Sequence, residues 1–560
     1  MTAKTVLATC LVVTAACAPS NSVSPARTST AINAADTRSR IYAIADDSMR
    51  GREVGRIGNF MMTSYIAREM TRLRLEPGGD NGTWFQVIPM KRATDSASTM
   101  SVGRRSLALF TDFAPVRPTP NLRVGMFLRE SAIPVIYGGR AGDSTASLRT
   151  GDAAGKIVLL DAPLASNGTP TGVTTAPMGI ALMRYPDAAG IAIAALDLVT
   201  PAAANQLRNG GAVLATDSTA RIRKPVGILI TKAVAETLMR TPLANLQTGS
   251  MGQPVDADIS FDFRPVEAPA RNVIAIIRGS DPALRNEYVA IGAHSDHLGM
   301  LAKPIDHDSV RAFNKIMRPE GAQSPNRQPT AEQQAAIRSV LDSLQRLRPP
   351  RRDSVYNGAD DDGSGSVALL EIAESFASGV RPRRSIILVW HTGEESGLLG
   401  SAWFTEHTTV PHDSIIAQLN MDMVGKGTTA DLPTGGPRNL QVIGSRRLST
   451  DLGNIVDSVN ATRSVPYLID YSFDVPRHPQ NRYCRSDHYM YARSGIPITY
   501  ISRGYHQDYH QVTDEPQYID YQGLANVAGF VREIAVALAD RNDRVRVDKP
   551  KPDPLAPCRQ

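Results

Sequence analysis

Cysteine is scarce in this chain, and no long apolar run interrupts it. Of four cysteines in 560 residues, Cys10 and Cys17 stand near the start, so only Cys484 and Cys558 belong to the body. One disulfide between them is permitted in an oxidising compartment, and the sequence alone does not say whether it forms. No stretch has the length and uniformity of a membrane-crossing helix, which leaves a body that is soluble or tethered only at its start. A basic tract is missing too, because the formal charge of +6 and the pI near 9.1 come from scattered Lys and Arg. Without a positive stripe to track phosphates, nucleic acid is not an expected partner.

What is present is an ordinary globular composition, 42% hydrophobic and 21% charged, over a length too great for a single core. Residues 1–17 set Lys4 ahead of a short apolar run, Val6 to Val13, and then small residues, the layout of an export signal. The segment ending at Cys17 is similar to a lipoprotein processing site, with Thr14 where Leu is usual, so a lipid anchor on Cys17 and simple cleavage both stay open. The protein is therefore expected outside the cytoplasm: periplasmic, secreted or lipid-anchored to a bacterial membrane. Residues 18–35, rich in Ser, Thr, Ala and Pro, read as a flexible leader.

Residues 36–115 open with a helix near Ile57–Leu75 and a strand from Trp84 to Ile88, and read as the N-terminal part of a larger domain. Between 120 and 255, short apolar strands such as 155–160 and 190–196 carry no cluster of His or acids, and read as an inserted β-rich module without chemistry of its own. From 256 to 545 apolar strands alternate with amphipathic helices, which predicts an α/β fold with a mostly parallel central sheet flanked by helices. Within it, 302–356 is an insertion holding one clear helix. Thr330 and Gln333 form a capping box, Ile337, Val340, Leu341, Leu344 and Leu347 a stripe, and Pro349-Pro350 the stop. It reads as a surface excursion, with a role in substrate access left open. Residues 546–560 read as a loose, charged, Pro-rich tail.

The chemistry is concentrated at strand ends. His294 and Asp296 follow the run 288–293, His391 and Glu394-Glu395 follow 385–390, and Asp422 closes 415–421. Ends of parallel strands form the ligand crevice of open α/β sheets. Between them, NGADDDGSGS (357–366) sets three acids in a Gly-rich turn before a helix, and HQDYHQVTDE (506–515) follows the strand 496–501. Carboxylates can bridge two cations, and glycines let the backbone come close. Taken singly each feature suits a structural His or a solvated turn, but their repetition at buried strand ends points to metal-assisted catalysis.

These motifs, AHSDHLG (293–299), GADDDGSG (358–365), HTGEESGLLGS (391–401), LNMDMVG (419–425), SDHYMYARSGIP (486–497) and DYHQVTD (508–514), resemble the co-catalytic zinc exopeptidases of metallopeptidase family 28, clan MH. The likeness runs from about residue 38 to 540, and the insert with GKIVLL resembles a protease-associated domain. It implies a zinc exopeptidase fold, phosphorylase/hydrolase-like, and two zinc ions. His294 and Asp422 would bind one, Glu395 and His510 the other, and Asp361 would bridge both. Asp296 would orient the His294 ring, Glu394 would serve as general base, and Tyr509 would donate to the developing oxyanion or simply pack. Peptides would be the substrates and aminopeptidase the activity.

A carboxypeptidase or dipeptidase on the same scaffold is the nearest alternative, with Arg482, Arg485 or Arg503 to hold a carboxylate. A glutaminyl cyclase or a metal-free receptor module is disfavoured by the complete ligand set. His297, His391, His488 and His506 read as site-lining or structural, and His307, His407, His412 and His478 as surface. The chain departs from the family pattern in the long 302–356 insertion and in Ser295 and Gln511, where Tyr and Thr are commoner. Nothing in the sequence fixes the oligomeric state.

Overall fold

The computed structural model describes residues 28–560, except 96, 118–124, 126, 144–147, 165–167, 173–174, 216–224, 326, 555–557 and 559. The expected export signal and Cys17 lie outside the described residues. Residues 28–33, expected in the leader, are held: the Thr28 hydroxyl donates to Glu374 at 2.6 Å, and Asn33 caps helix α1 (Ala34–Ile44).

Helix α2 (Ile57–Arg72) packs beside α1, and the chain then enters a nine-stranded central sheet. Its principal strands are β1 (Ala270–Ile277), β2 (Tyr288–His294), β3 (Ser385–His391), β4 (Ile415–Met421), β5 (Asn439–Ile443) and β6 (Ile498–Ser502). Their spatial order is β1-β3-β2-β4-β6-β5. The middle four, β3, β2, β4 and β6, run parallel, while β1 and β5 join antiparallel at either side. The sheet is thus parallel at its centre and mixed at its edges.

Alternate residues serve two cores, which is why these strands read as unbroken apolar runs. Val289, Ile291, Ile386, Leu388 and Trp390 face helices α5 (Gly363–Ser378) and α6 (Tyr521–Ala539) with α1 and α2. Ala290, Ile387, Val389 and Ile498 face the helices Leu399–Glu406 and His488–Arg493. In register, His294 stands beside His391 at the same edge.

The inserted module has its own sheets and cores. The strand 99–102 pairs with 105–106 and with 255–260, and 113–116 pairs with 226–230, so its sheets take in residues ahead of position 120. The 302–356 insertion holds two helices, not one. Strands Met300–Asp306 and Arg352–Val355 form its base, and α3 (His307–Met317) and α4 (Ala331–Leu347) pack together above it. The Thr330–Gln333 capping box forms as read, but Leu347, at 82% exposure, stays outside the stripe's contact. His307, expected at the surface, is buried.

Two described residues of the tail are anchored to the body. Cys558 forms a disulfide with Cys484, and the Gln560 side chain accepts from the Tyr483 amide at 3.1 Å. Among the described residues no helix is long and apolar enough to cross a membrane.

Trp390 couples core to site: its indole donates to the Ser366 carbonyl at 3.1 Å, and the Ser366 hydroxyl donates to the His294 carbonyl at 2.6 Å. Trp390→Ala is expected to lower unfolding free energy by about 3–5 kcal/mol, measured by urea denaturation.

Candidate metal centre

Three strand ends and two loops converge. Asp361 faces imidazoles with both oxygens: Oδ1 lies 3.2 Å from His294 Nε2 and Oδ2 lies 3.1 Å from His510 Nε2. Asp422 Oδ1 stands 3.9 Å from His294 Nε2, and Glu395 Oε2 stands 3.1 Å from His510 Nε2. The structure therefore brings together all five residues that the sequence pattern proposed as ligands.

The neighbours of Asp361 are occupied elsewhere. Asp362 accepts from the amides of His294, Met423 and Gly365, capping α5. Asp360 accepts from the Gly425 amide at 2.6 Å and faces His506 at 3.0 Å. Gly358, at φ +54°, permits the tight return: a Cβ there would meet the Asp361 carbonyl at 2.3 Å.

Adjacent glutamates diverge. Glu395 turns to His510 and His297, while Glu394 Oε2 lies 4.0 Å from His294 Nε2. Burial, with the charges of Glu395 and Asp422 beyond the opposing pull of His294, pushes Glu394 well above the usual carboxylate range. Burial also acts to raise Glu395, but His510 and His297 hold it down to about 2. The same burial disfavours a charged His510, yet Glu395 and Asp361 lift it to about 9.

Asp296 stands behind His294. His294 Nδ1 meets the Asp296 backbone carbonyl at 3.1 Å, with the carboxylate at 3.7 Å, and that carboxylate also accepts from the Glu394 amide at 3.1 Å. It links the His294 loop to the glutamate pair.

Tyr509 stacks on His510 with ring centroids 3.8 Å apart, and its hydroxyl accepts from Arg485 at 3.2 Å. Arg482 is packed on Phe473 and bonded to Gln480, and Arg503 is paired with Asp520. His391 is bonded to Tyr491, and His488 stacks on Tyr500; both are structural.

The donor set fits cations. His294 Nε2, His510 Nε2, Asp361 Oδ2 and Glu395 Oε1 are buried and without a hydrogen-bond partner. Buried polar atoms are normally satisfied, so orphans gathered from four loops indicate ligands aimed at ions. Two overlapping groups, His294–Asp361–Asp422 and His297–Asp361–Glu395, could each hold one.

Two features escaped the sequence reading. His297 Nδ1 comes within 2.7 Å of Glu395 Oε1, although it is 4.0 Å from Asp361. Arg52 lies beneath the site and donates to the carbonyls of Ser295, Asn357 and Gly358, clamping two ligand loops. Gly51, at φ +65°, lets that segment approach, since a Cβ would meet the Gly299 carbonyl at 2.1 Å. No local pattern marks an arginine whose partners stand 243 to 306 residues away.

A third group, His307–Asp353–Glu515, also has donor atoms close together. There Arg351 already holds Glu515 and lies 3.3 Å from Asp353, so those carboxylates have countercharges.

His510 stands 3.1 Å from both Asp361 and Glu395, whereas His297 is 2.7 Å from Glu395 but 4.0 Å from Asp361. His510→Ala is therefore expected to weaken cation binding by at least about 10-fold in a chelator competition. His297→Ala should do so by much less.

Residues 272–535 match the family model of Peptidase family M28. The probable leucine aminopeptidase 1 of Trichophyton verrucosum (strain HKI 0517) is 28% identical over 197 residues, covering 32% of this chain and 48% of that protein. Leucine aminopeptidase 1 of Trichophyton rubrum aligns with the same identity and coverage. The chain spans about half the length of these curated relatives. Its fold is similar to that of the aminopeptidase from Aneurinibacillus sp. strain AM-1, with a TM-score of 0.51 at 15% identity, over 93% of this chain and 98% of that one. The segment 272–535 thus belongs to peptidase family M28.

Proposed function

We propose that this protein is a zinc-dependent aminopeptidase with two ions, one at His294, Asp361 and Asp422 and the other at Asp361, Glu395 and His510. The observation that carries this reading is the placement of Asp361, whose two oxygens face two different imidazoles while the acids on either side of it are tied to backbone amides. Such an arrangement suits a bridging carboxylate. The leucine aminopeptidases aligned with this chain support the choice of substrate.

Paired zinc ions, when bound, supply Lewis acidity to the scissile carbonyl and make a nearby water more acidic. The chain's own residues do the rest. Glu394, free of the ligand set and directed toward His294, takes the proton from the attacking water and later returns it to the leaving amine. Asp296 fixes the Glu394 backbone and the His294 ring in one frame. Tyr509, with its hydroxyl tied to Arg485, reads better as a wall that stacks on His510 than as an oxyanion donor.

The carboxypeptidase alternative needs a cation for the substrate's terminal carboxylate. Of the three arginines that pattern suggested, Arg482 and Arg503 are engaged away from the ligands, and Arg485 is bonded to Tyr509. We read the inserted module as a protease-associated domain, and the protein as exported.

Two outcomes test the reading. Glu394→Gln is expected to keep full metal content and lose at least about 100-fold in kcat, while Glu395→Ala loses metal; exchange of those phenotypes overturns the roles. Peptides with a free α-amine should be cleaved and their N-acetylated counterparts should not. Equal cleavage of both sinks the aminopeptidase assignment.

A further inference from the structure

We infer that the 302–356 insertion is a working part of the metal centre: through Arg318 and Arg311 it holds the 506–515 loop in the conformation that presents His510. This inference rests on the two-ion reading above.

The loop needs such support. It contains neither helix nor strand, and His510 sits at φ +58°, a left-handed conformation that a non-glycine residue adopts only when its surroundings hold it there. Its C-terminal half is fixed from the other side, because the Asp514 carboxylate accepts from the amides of Asp360 and Asp361. Its N-terminal half is fixed by the insertion.

Just past the end of α3, Arg318 donates to the carbonyls of Gln507 at 2.6 Å and Tyr509 at 3.2 Å. The Tyr509 carbonyl belongs to the peptide group that joins Tyr509 to His510. Fixing that plane sets the N–Cα axis of His510, from which the left-handed φ directs the side chain. About two turns earlier on α3, Arg311 donates to Asp508 Oδ2 at 3.1 Å, an oxygen that also accepts from Lys426 at 2.6 Å. Lys426 follows Asp422 by four residues, so Asp508 ties the insertion to the loops of two ligands. The Ala322 amide adds a backbone bond to the Tyr505 carbonyl at 3.0 Å, at the root of the same loop.

The geometry makes Arg318 a positioning residue that touches no reacting atom. Its removal should therefore affect one ion selectively, because His294 and Asp422 are held by strand ends the insertion does not contact through Arg318. A general loss of structure would affect both ions together.

The test is zinc titration against a competing chelator on the full chain, with near-UV circular dichroism to confirm folding. The wild type is expected to bind two zinc ions; one or none contradicts the two-ion reading and this inference with it. In Arg318→Met, the step that His510→Ala also weakens should lose about 10-fold or more in affinity while the other step is unchanged. Arg318→Lys, which keeps a donor, should recover part of the loss. Two unchanged steps, or equal weakening of both, overturn the inference while leaving the two-ion reading intact. If Arg318→Met does not fold, Arg311→Met, which breaks the more exposed contact to Asp508, is judged by the same outcomes.

Discussion

Asp361, Glu394, Glu395 and Asp422 meet at one edge of the central sheet with little water around them, and so much buried like charge is unfavourable unless cations accept it. Much of the surrounding architecture answers that constraint. Backbone amides of His294, Met423 and Gly365 absorb Asp362, and those of Asp360 and Asp361 are absorbed by Asp514. Arg52 supplies a positive charge from beneath, spent on loop carbonyls and leaving the ligand oxygens free. Asp361 Oδ2 and Glu395 Oε1, buried and without a hydrogen-bond partner, lie at the proposed ion positions.

The sheet explains why such a cluster can persist. Its four central strands are parallel and covered on both faces, so their ends are held by two packed cores. His294, Glu395 and Asp422 follow or end three adjacent strands and inherit that rigidity. His510 does not, since it lies on a loop with a left-handed backbone. Bracing by the insertion is the structural counterpart of that difference, and it gives a chain-specific segment a place in a centre otherwise built from the sheet.

Much of this was legible in the sequence, for a physical reason. Buried parallel strands are near-continuous apolar runs, and polar residues directly after them stand out. Asp361 could be told from Asp360 and Asp362 only through the family pattern; in the structure both neighbours accept from backbone amides. Helix α3 was not read, because the residues it buries include His307, Asp308 and Asn314, so apolar periodicity could not reveal it. His307 was misplaced for the same reason, its acidic partner Glu515 being more than 200 residues away. The tail's attachment depended on a disulfide that spacing cannot assign. The His297–Glu395 approach is a matter of about an ångström between loops, below anything a motif encodes.

Crystals grown with zinc and measured at its absorption edge test the two-ion centre most directly. Two anomalous peaks are expected, one among His294, Asp361 and Asp422 and one among Asp361, Glu395 and His510. A single peak, or density seated at His307, Asp353 and Glu515 in place of either, would contradict the shared-aspartate centre on which the proposed chemistry depends.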